Sequence, residues 1–227
     1  MPQKLIDVIR PDSVRAIVFD CDGLLVDSES AWTRAETLLY AGLGVEFAEQ
    51  HKRDIIGRSA SAVLEVIERH LDRPGDGEVL WSELLRLYEQ EAEHGHGEMP
   101  GASEMVRRCA ARVPVAVASS APREHLDSNI ASLGLDDLLA VRVNGESVKR
   151  LKPAPDPYLL ACERLAVDPT TAVAFEDSAT GAASAMAAGL RVIAVPTVAG
   201  SIDDAAWVAT SLQDAEIVAW ASRLGAK

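Results

Sequence analysis

Long apolar runs, basic charge, paired cysteines and internal repeats are all scarce in this sequence, and the scarcities narrow what the protein can be. No apolar stretch approaches the ~20 residues that a membrane-spanning helix needs. Met1 to Pro11 lacks the apolar core and cleavage site of a secretory leader. The three cysteines, Cys21, Cys109 and Cys162, are odd in number and far apart, which suggests neither a disulfide framework nor a zinc site. A reducing, cytoplasmic compartment is the natural expectation. Lys and Arg number 22 against 35 Asp and Glu, giving a net charge of −13. That balance argues against nucleic-acid binding and against an anionic membrane partner. It leaves an anionic substrate open, because a few donors, a helix N-terminus and a metal can hold one phosphate inside an acidic protein. There is no internal repeat and no low-complexity tract.

What is present is an ordinary globular composition, 48% apolar and 25% charged over 227 residues, enough for one large or two small domains. Ala16-Ile17-Val18-Phe19 reads as a strand buried on both faces. It stops abruptly on Asp20, Asp22 and Gly23. A carboxylate at the carboxyl end of a buried α/β strand sits where such sheets bind ligands. Two carboxylates two residues apart, with Gly23 permitting a sharp turn, can take different roles at one reacting centre. A polar turn after a strand is the plainer account of the same residues. Cys21, between the aspartates, has no partnering His nearby in sequence to make it a nucleophile.

After Glu29 the pattern becomes helical. Trp32, Ala35, Leu38 and Leu39 follow a 3.6-residue period that Gly42 or Gly44 would end. Val63, Val66, Ile67, His70 and Leu71 form another stripe, and Trp81, Leu84, Leu85 and Tyr88 a further one. Strand signals are absent between Glu29 and Glu98, so residues 30–97 are expected as a helical insertion. The pair His94 and His96 reads as a Gly-flanked linker before a metal site, and His70 as a packed histidine. From Pro100, helical stretches alternate with strands: Val113–Ala118, Thr171–Phe175 and Arg191–Val195 as strands, and Ser103–Arg112, Pro122–Leu133, Ser178–Ala188 and Asp214–Leu224 as helices. Asp156 is expected to cap a further helix, running to about Ala166, with Pro157 at its first position and Tyr158, Ala161, Cys162 and Leu165 facing inward. The alternation predicts an α/β fold, a Rossmann-like doubly wound parallel sheet, with the helical segment inserted after its first strand.

Three more sites carry polar residues suited to a phosphate. Ser119 and Ser120 lie between a strand and a helix, where a hydroxyl and free backbone N–H groups can point at one anion. Lys152 lies in Leu151-Lys152-Pro153-Ala154-Pro155, a lone cation stiffened by prolines. Glu176 and Asp177 end a buried strand, a pairing of acids that suits a hard cation such as Mg²⁺.

The order D-x-D-G, Ser, K-P-x-P, E-D resembles the four motifs of the haloacid dehalogenase-like phosphohydrolases, and Leu25-Val26-Asp27-Ser28-Glu29 resembles the subgroup of β-phosphoglucomutases and small sugar-phosphate phosphatases. The resemblance runs to about Pro196. It implies a core domain over residues 1–29 and 98–227 and a cap domain over 30–97. It also implies Asp20 as a nucleophile that forms an aspartyl-phosphate and Asp22 as the general acid and base. Ser119, with Ser120, would bind the phosphoryl group, and Lys152 would neutralise charge. Asp20, the backbone carbonyl of Asp22, Asp177 and Glu176 would serve around Mg²⁺. The sequence departs from several relatives of that type. Dehalogenases lack the second aspartate, phosphonoacetaldehyde hydrolases have Ala there and need a cap lysine, and Lys52 is the only lysine between Glu29 and Glu98. β-Phosphoglucomutases carry a His where this chain has Trp32, and an Arg whose placement Arg58, directly after Gly57, does not match. The expected activity is therefore a Mg²⁺-dependent phosphatase acting on a small phosphorylated metabolite as a monomer. A hexose phosphate mutase is the alternative, and a non-catalytic binding protein the third reading. Trp32, Lys52 and Arg58 are candidates to contact the substrate's leaving group; solvated charges and a packing Trp are the plainer account of them.

Overall fold

The computed structural model describes residues 4–55, 60–92, 95–196, 202 and 204–225. The chain forms two compact units, Met1–Val26 with Glu98–Lys227, and Asp27–Gly97.

The first unit is α/β. A short helix α1 (Leu5–Val8) leads into strand β1 (Ala16–Phe19). The chain then passes through β2 (Val26–Asp27) into the second unit, whose helices are α2 (Ser28–Gly42), α3 (Glu49–Ile55), α4 (Ala60–His70) and α5 (Gly77–Ala92). It returns through β3 (Gly97–Glu98), which pairs with β2. There follow α6 (Ala102–Ala110), β4 (Val115–Ala118), α7 (Arg123–Ser132), β5 (Val141–Val143), α8 (Asp156–Arg164), β6 (Ala172–Glu176), α9 (Ala179–Ala187), β7 (Arg191–Ala194), β8 (Trp207–Val208) and α10 (Ala215–Ala221).

Six of these strands form one sheet in the order β5-β4-β1-β6-β7-β8, with every pair parallel. The doubly wound parallel sheet expected from the βα alternation is thus present. The chain builds outward from β1 through β4 to β5, then crosses back to lay β6, β7 and β8 on the other side. Between β1 and its neighbours the winding reverses, which places a ligand crevice at the carboxyl ends of β4, β1 and β6.

The period-2 alternation along the strands divides the core. Ile17, Phe19, Val115, Val117, Val173, Phe175 and Ile193 pack on one face with α6, α7 and α10. Phe19 and Phe175 stack there with ring centroids 5.3 Å apart. Ala16, Val18, Ala116, Ala118, Ala172, Ala174 and Ala194 line the other face, where small side chains let α8 and α9 approach closely. The large ring of Tyr158, on α8, fills the room those alanines leave.

In the helical unit, Leu80, Leu84 and Leu87 of α5 and Val63, Val66 and Ile67 of α4 pack with Ala35, Leu39 and Tyr40 of α2. The 3.6-residue stripes read from the sequence supply Ala35, Leu39, Val63, Val66, Ile67 and Leu84 of this core, while Leu38 is exposed and Tyr40, Leu80 and Leu87 come from outside the stripes. Asp27 caps α2 by accepting from the Ser30 N–H at 3.1 Å.

Three local expectations differ. β5 and β8 escape the sequence reading because they are short, and Arg142 interrupts the apolar run of β5 while pairing with Asp127 and Asp136. Asp156 makes no cap hydrogen bond; it is the first residue of α8, and its carboxylate pairs with Arg150 at 2.7 Å. The strand expected to start at Val113 begins at Val115, beyond Pro114.

Candidate functional site

The site grows out of three strand ends. The β1 ladder runs one residue beyond Phe19, with the Asp20 N–H donating to the Phe175 carbonyl at 3.0 Å. This fixes the Asp20 backbone in the sheet and points a buried carboxylate out of its carboxyl edge. The chain then turns sharply: Gly23 adopts φ 83, a left-handed conformation that a side chain would strain, and the Leu25 N–H donates back to the Cys21 carbonyl at 2.8 Å. Cys21 itself is buried, and that burial pushes its thiol well up, so it is not a thiolate nucleophile.

At the end of β4 the Ser119 N–H donates to the Val143 carbonyl at 2.9 Å. Its hydroxyl donates to Asp22 Oδ2 at 2.8 Å and accepts from the Ala121 N–H at 2.9 Å. The Ser119–Ala121 loop is held from below by the turn after β5. The Gly145 N–H donates to the Ala121 carbonyl at 2.8 Å, and a Cβ on Gly145 would lie 2.5 Å from the Ser120 carbonyl oxygen. Only glycine allows that approach.

At the end of β6, Glu176 has 0% of its surface exposed. Its Oε1 accepts from Lys152 Nζ at 2.6 Å and from the Tyr158 hydroxyl at 2.5 Å. Its Oε2 accepts from the Asp177 N–H at 3.2 Å, the Ser178 N–H at 3.4 Å and the Ser178 hydroxyl at 3.3 Å. The carboxylate is thereby tied to the start of α9, where Ser178 caps by accepting from the Gly181 N–H at 3.1 Å. Gly181 is required here, since a Cβ would fall 1.9 Å from Glu176 Oε1.

Lys152 brings these parts together. Its buried ammonium donates to Asp20 Oδ1, to Glu176 Oε1 and, at 3.3 Å, to the Tyr158 hydroxyl oxygen. Burial alone pulls the ammonium down, but the charges of Asp20 and Glu176 outweigh it and raise Lys152 well above its ordinary range. Burial also pushes the Asp20 carboxyl well up; Lys152 opposes that, and the charges of Glu176, Asp177 and Asp22 add to it. Four carboxylates thus act at one place against one ammonium, and the deficit is of positive charge.

Asp20, Glu176 and Asp177 each offer an oxygen within 4.8 Å of the others. Hard oxygen ligands and surplus negative charge fit a divalent cation of the Mg²⁺ type. Of the other residues singled out in the sequence, Trp32 stacks on Tyr88 with centroids 3.9 Å apart. Lys52 pairs with Glu29 at 2.5 Å and Glu36 at 2.7 Å inside the helical unit. Arg58 and His94 lie outside the described residues. His96 stacks against Tyr88, with centroids 6.1 Å apart. Tyr158 was legible only as part of an apolar stripe; its one sequence signal is that a buried phenol hydroxyl needs a partner.

Comparison with known proteins agrees with this geometry. Residues 14–189 match the family described as haloacid dehalogenase-like hydrolase. Hexitol phosphatase B of Escherichia coli K12 is 33% identical over 190 residues, covering 82% of this chain and 85% of that protein. Protein CbbY of Rhodobacter capsulatus is 32% identical over 197 residues, covering 81% and 86%. Among solved structures, a HAD family hydrolase from Deinococcus radiodurans with bound phosphate and sodium superposes with a TM-score of 0.73 at 28% identity, covering 88% and 93%.

Proposed function

Because the chain belongs to the haloacid dehalogenase-like hydrolases, we propose that it is a Mg²⁺-dependent phosphatase that hydrolyses a small phosphorylated metabolite, of the sugar-phosphate type, through an aspartyl-phosphate. The observation that carries this reading is the buried Asp20 carboxylate at the switch point of the sheet, with the Lys152 ammonium on one oxygen and Glu176 and Asp177 beside it. The phosphatase names of relatives such as hexitol phosphatase B support the reaction class and the kind of substrate.

In the proposed reaction an Asp20 oxygen attacks the phosphorus of the ester, and the bond from phosphorus to the leaving oxygen breaks. Asp22 gives its proton to that oxygen. Asp22 then takes a proton from a water molecule as the water attacks phosphorus, which releases inorganic phosphate and restores the Asp20 carboxylate. Acid–base help of this kind is worth roughly 10²–10⁴-fold. The Ser119 hydroxyl, already on Asp22 Oδ2, orients that carboxylate and stands ready for a phosphoryl oxygen; the Ser120 N–H would supply a further donor. Lys152 offsets the repulsion between a carboxylate and a phosphate dianion. A Mg²⁺ ion held by Asp20, Asp177, the Asp22 backbone carbonyl and, directly or through water, Glu176 would supply the remaining positive charge.

We assign the helical unit as a cap that chooses the leaving group, with Trp32 and Arg58 as its candidate contacts; Lys52, engaged by Glu29 and Glu36, is assigned to the packing of that unit instead. The mutase reading is the weaker one, because Trp32 stands where those enzymes carry a His and is stacked on Tyr88. A panel of phosphorylated sugars and sugar alcohols, assayed for released phosphate with Mg²⁺ and with chelator, tests the proposal. Metal-dependent release from at least one ester is expected. No release from any, or release undiminished by chelator, would overturn it.

A further inference from the structure

Lys152 has three N–H donors, and each has an acceptor: Asp20 Oδ1, Glu176 Oε1 at 2.6 Å and the Tyr158 hydroxyl at 3.3 Å. The first two are carboxylates. The third is neutral and the longest. A phosphoryl group that reaches Lys152 must take one N–H from its present partner, and the one given up at least cost is the bond to Tyr158.

The hydroxyl is not explained by packing. The Tyr158 ring lies on the small-residue face of the sheet, with Val18, Ala116, Ala118 and Ala174 in the same cluster, and a phenylalanine would fill that space with no polar atom to satisfy. The hydroxyl of Tyr158 instead crosses to β6 and donates to Glu176 Oε1 at 2.5 Å. The ring also lies under the ammonium, with Nζ 5.0 Å from its centroid, so Tyr158 touches Lys152 through both its face and its hydroxyl.

We propose that Tyr158 is a positioning residue for the reaction: its hydroxyl pins Glu176 Oε1 and holds the third N–H of Lys152, so that the ammonium stays on Asp20 and has one donor to release to the phosphoryl group. Without the hydroxyl, Glu176 Oε1 keeps a single donor, and the ammonium is drawn toward Glu176 and away from Asp20. The inference rests on the proposed role of Lys152 in phosphoryl transfer.

Tyr158→Phe, which keeps the ring, is the first test. Its kcat is expected to fall by about ten- to a hundredfold, the weight of one hydrogen bond to a charged group, with KM within about twofold of the parent. The second readout needs no substrate. In protein labelled with ¹⁵N-lysine, the Lys152 ammonium signal, assigned by its loss in Lys152→Met, should exchange with water faster in Tyr158→Phe than in the parent. Tyr158→Leu, which removes ring and hydroxyl together, separates packing from positioning. An unchanged kcat in Tyr158→Phe with loss confined to Tyr158→Leu would overturn the proposal, as would a fall in kcat with an unchanged ammonium signal. If no ester is turned over by the parent protein, the phosphatase reading fails on its own, while the ammonium signal still decides whether Tyr158 holds Lys152.

Discussion

Two lysines, one in each unit, each bridge two carboxylates, and yet their surroundings differ in kind. Lys52 joins Glu29 and Glu36 across the helical unit. Its neighbourhood holds two carboxylates to one ammonium, but Glu29 is 38% exposed and open to solvent; burial of Glu36 pushes that carboxyl up, Lys52 opposes it and the Glu29 charge adds to it. Other polar groups of that unit close on one another: the Tyr40 hydroxyl meets His70 Nδ1 at 2.9 Å, and His70 Nε2 meets Asp54 at 3.1 Å. Lys152 also bridges two carboxylates, but Asp177 and Asp22 add their charge at the same spot. A small excess of charge with solvent at its edge specifies a packing arrangement. Buried charge with one sign in excess calls for a ligand, and in the proposed function that ligand is a cation together with a phosphoryl group shared with Lys152.

The largest test of this contrast removes the groups at its centre. Asp20→Asn should abolish turnover with the fold intact by circular dichroism, because an amide cannot form the acyl-phosphate; normal phosphate release by the folded variant would remove Asp20 from the role of nucleophile. Lys152→Met should lower kcat by about 10²–10³-fold, as loss of one aimed positive donor does. The matching change, Lys52→Met, should leave kcat within about twofold while costing about 1–3 kcal/mol of stability, because Glu36 loses its partner. Equal effects of the two substitutions on rate would erase the distinction between the lysines.

A second pair compares glycines that each press on a glutamate. In Gly181→Ala the new methyl would collide with the fully buried Glu176, whose five donors leave it nowhere to go. A misplaced Glu176 carries Lys152 with it, and kcat should drop on the order of 10²-fold. In the helical unit a Cβ on Gly77 would lie 2.5 Å from Glu68 Oε1, the far end of a half-buried side chain that can swing toward solvent. Gly77→Ala should therefore leave the rate unchanged and lower the melting temperature modestly, since Glu68 Oε1 gives up the bond it accepts from the Gly77 N–H at 2.7 Å. A rate loss in Gly77→Ala as large as in Gly181→Ala would show that the rigidity of Glu176 is not what matters.

How far the sequence shows all this depends on which physical signal each residue leaves. Strands buried on both faces leave long apolar runs, and Ala16–Phe19 and Ala172–Phe175 are visible for that reason. A polar residue at the end of such a run stands out, so Asp20, Ser119, Glu176 and Asp177 can be named as candidates. Lys152 is visible only through its flanking prolines and its place in the motif order. What stays hidden is pairing across the chain. Nothing local says that Lys52 meets Glu36, or that the Tyr158 hydroxyl reaches a carboxylate 18 residues further along. On the helix, Tyr158 shares a period with Ala161 and Cys162, so it reads as core. Strand β5 is hidden for the converse reason: its middle residue is a charged arginine satisfied by two aspartates from elsewhere.

Asp177→Asn sharpens the comparison from the side of the missing positive charge. Losing one carboxylate from the acid cluster should raise the Mg²⁺ concentration for half-maximal rate by about tenfold or more, as changes around metal ligands do. A metal titration identical to the parent's would move the ligand role away from Asp177.

The smallest expected effect belongs to the helical unit and separates it from the core by pH. His70 faces Tyr40 on α2, His51 and Asp54 on α3, and Arg69 on its own helix. Burial lowers its pKa; the Asp54 carboxylate opposes that, and the nearby His51 adds to it. The Tyr40 hydroxyl, itself pushed upward by burial, remains a neutral donor to Nδ1. A histidine whose folded pKa lies below its unfolded value of about 6.5 binds fewer protons folded than unfolded. Its contribution to stability is therefore present above pH 6.5 and is lost as pH falls through the folded pKa. Melting followed by the fluorescence of Trp32 and Trp81, in a Trp207→Phe, Trp220→Phe background that leaves no tryptophan outside the helical unit, should shift downward between pH 7 and pH 5. His70→Gln should flatten that slope, since a neutral amide can still bridge Tyr40 and Asp54 without taking up a proton. A slope of the same size in His70→Gln would place the acid sensitivity on some other group and leave the histidine as packing alone.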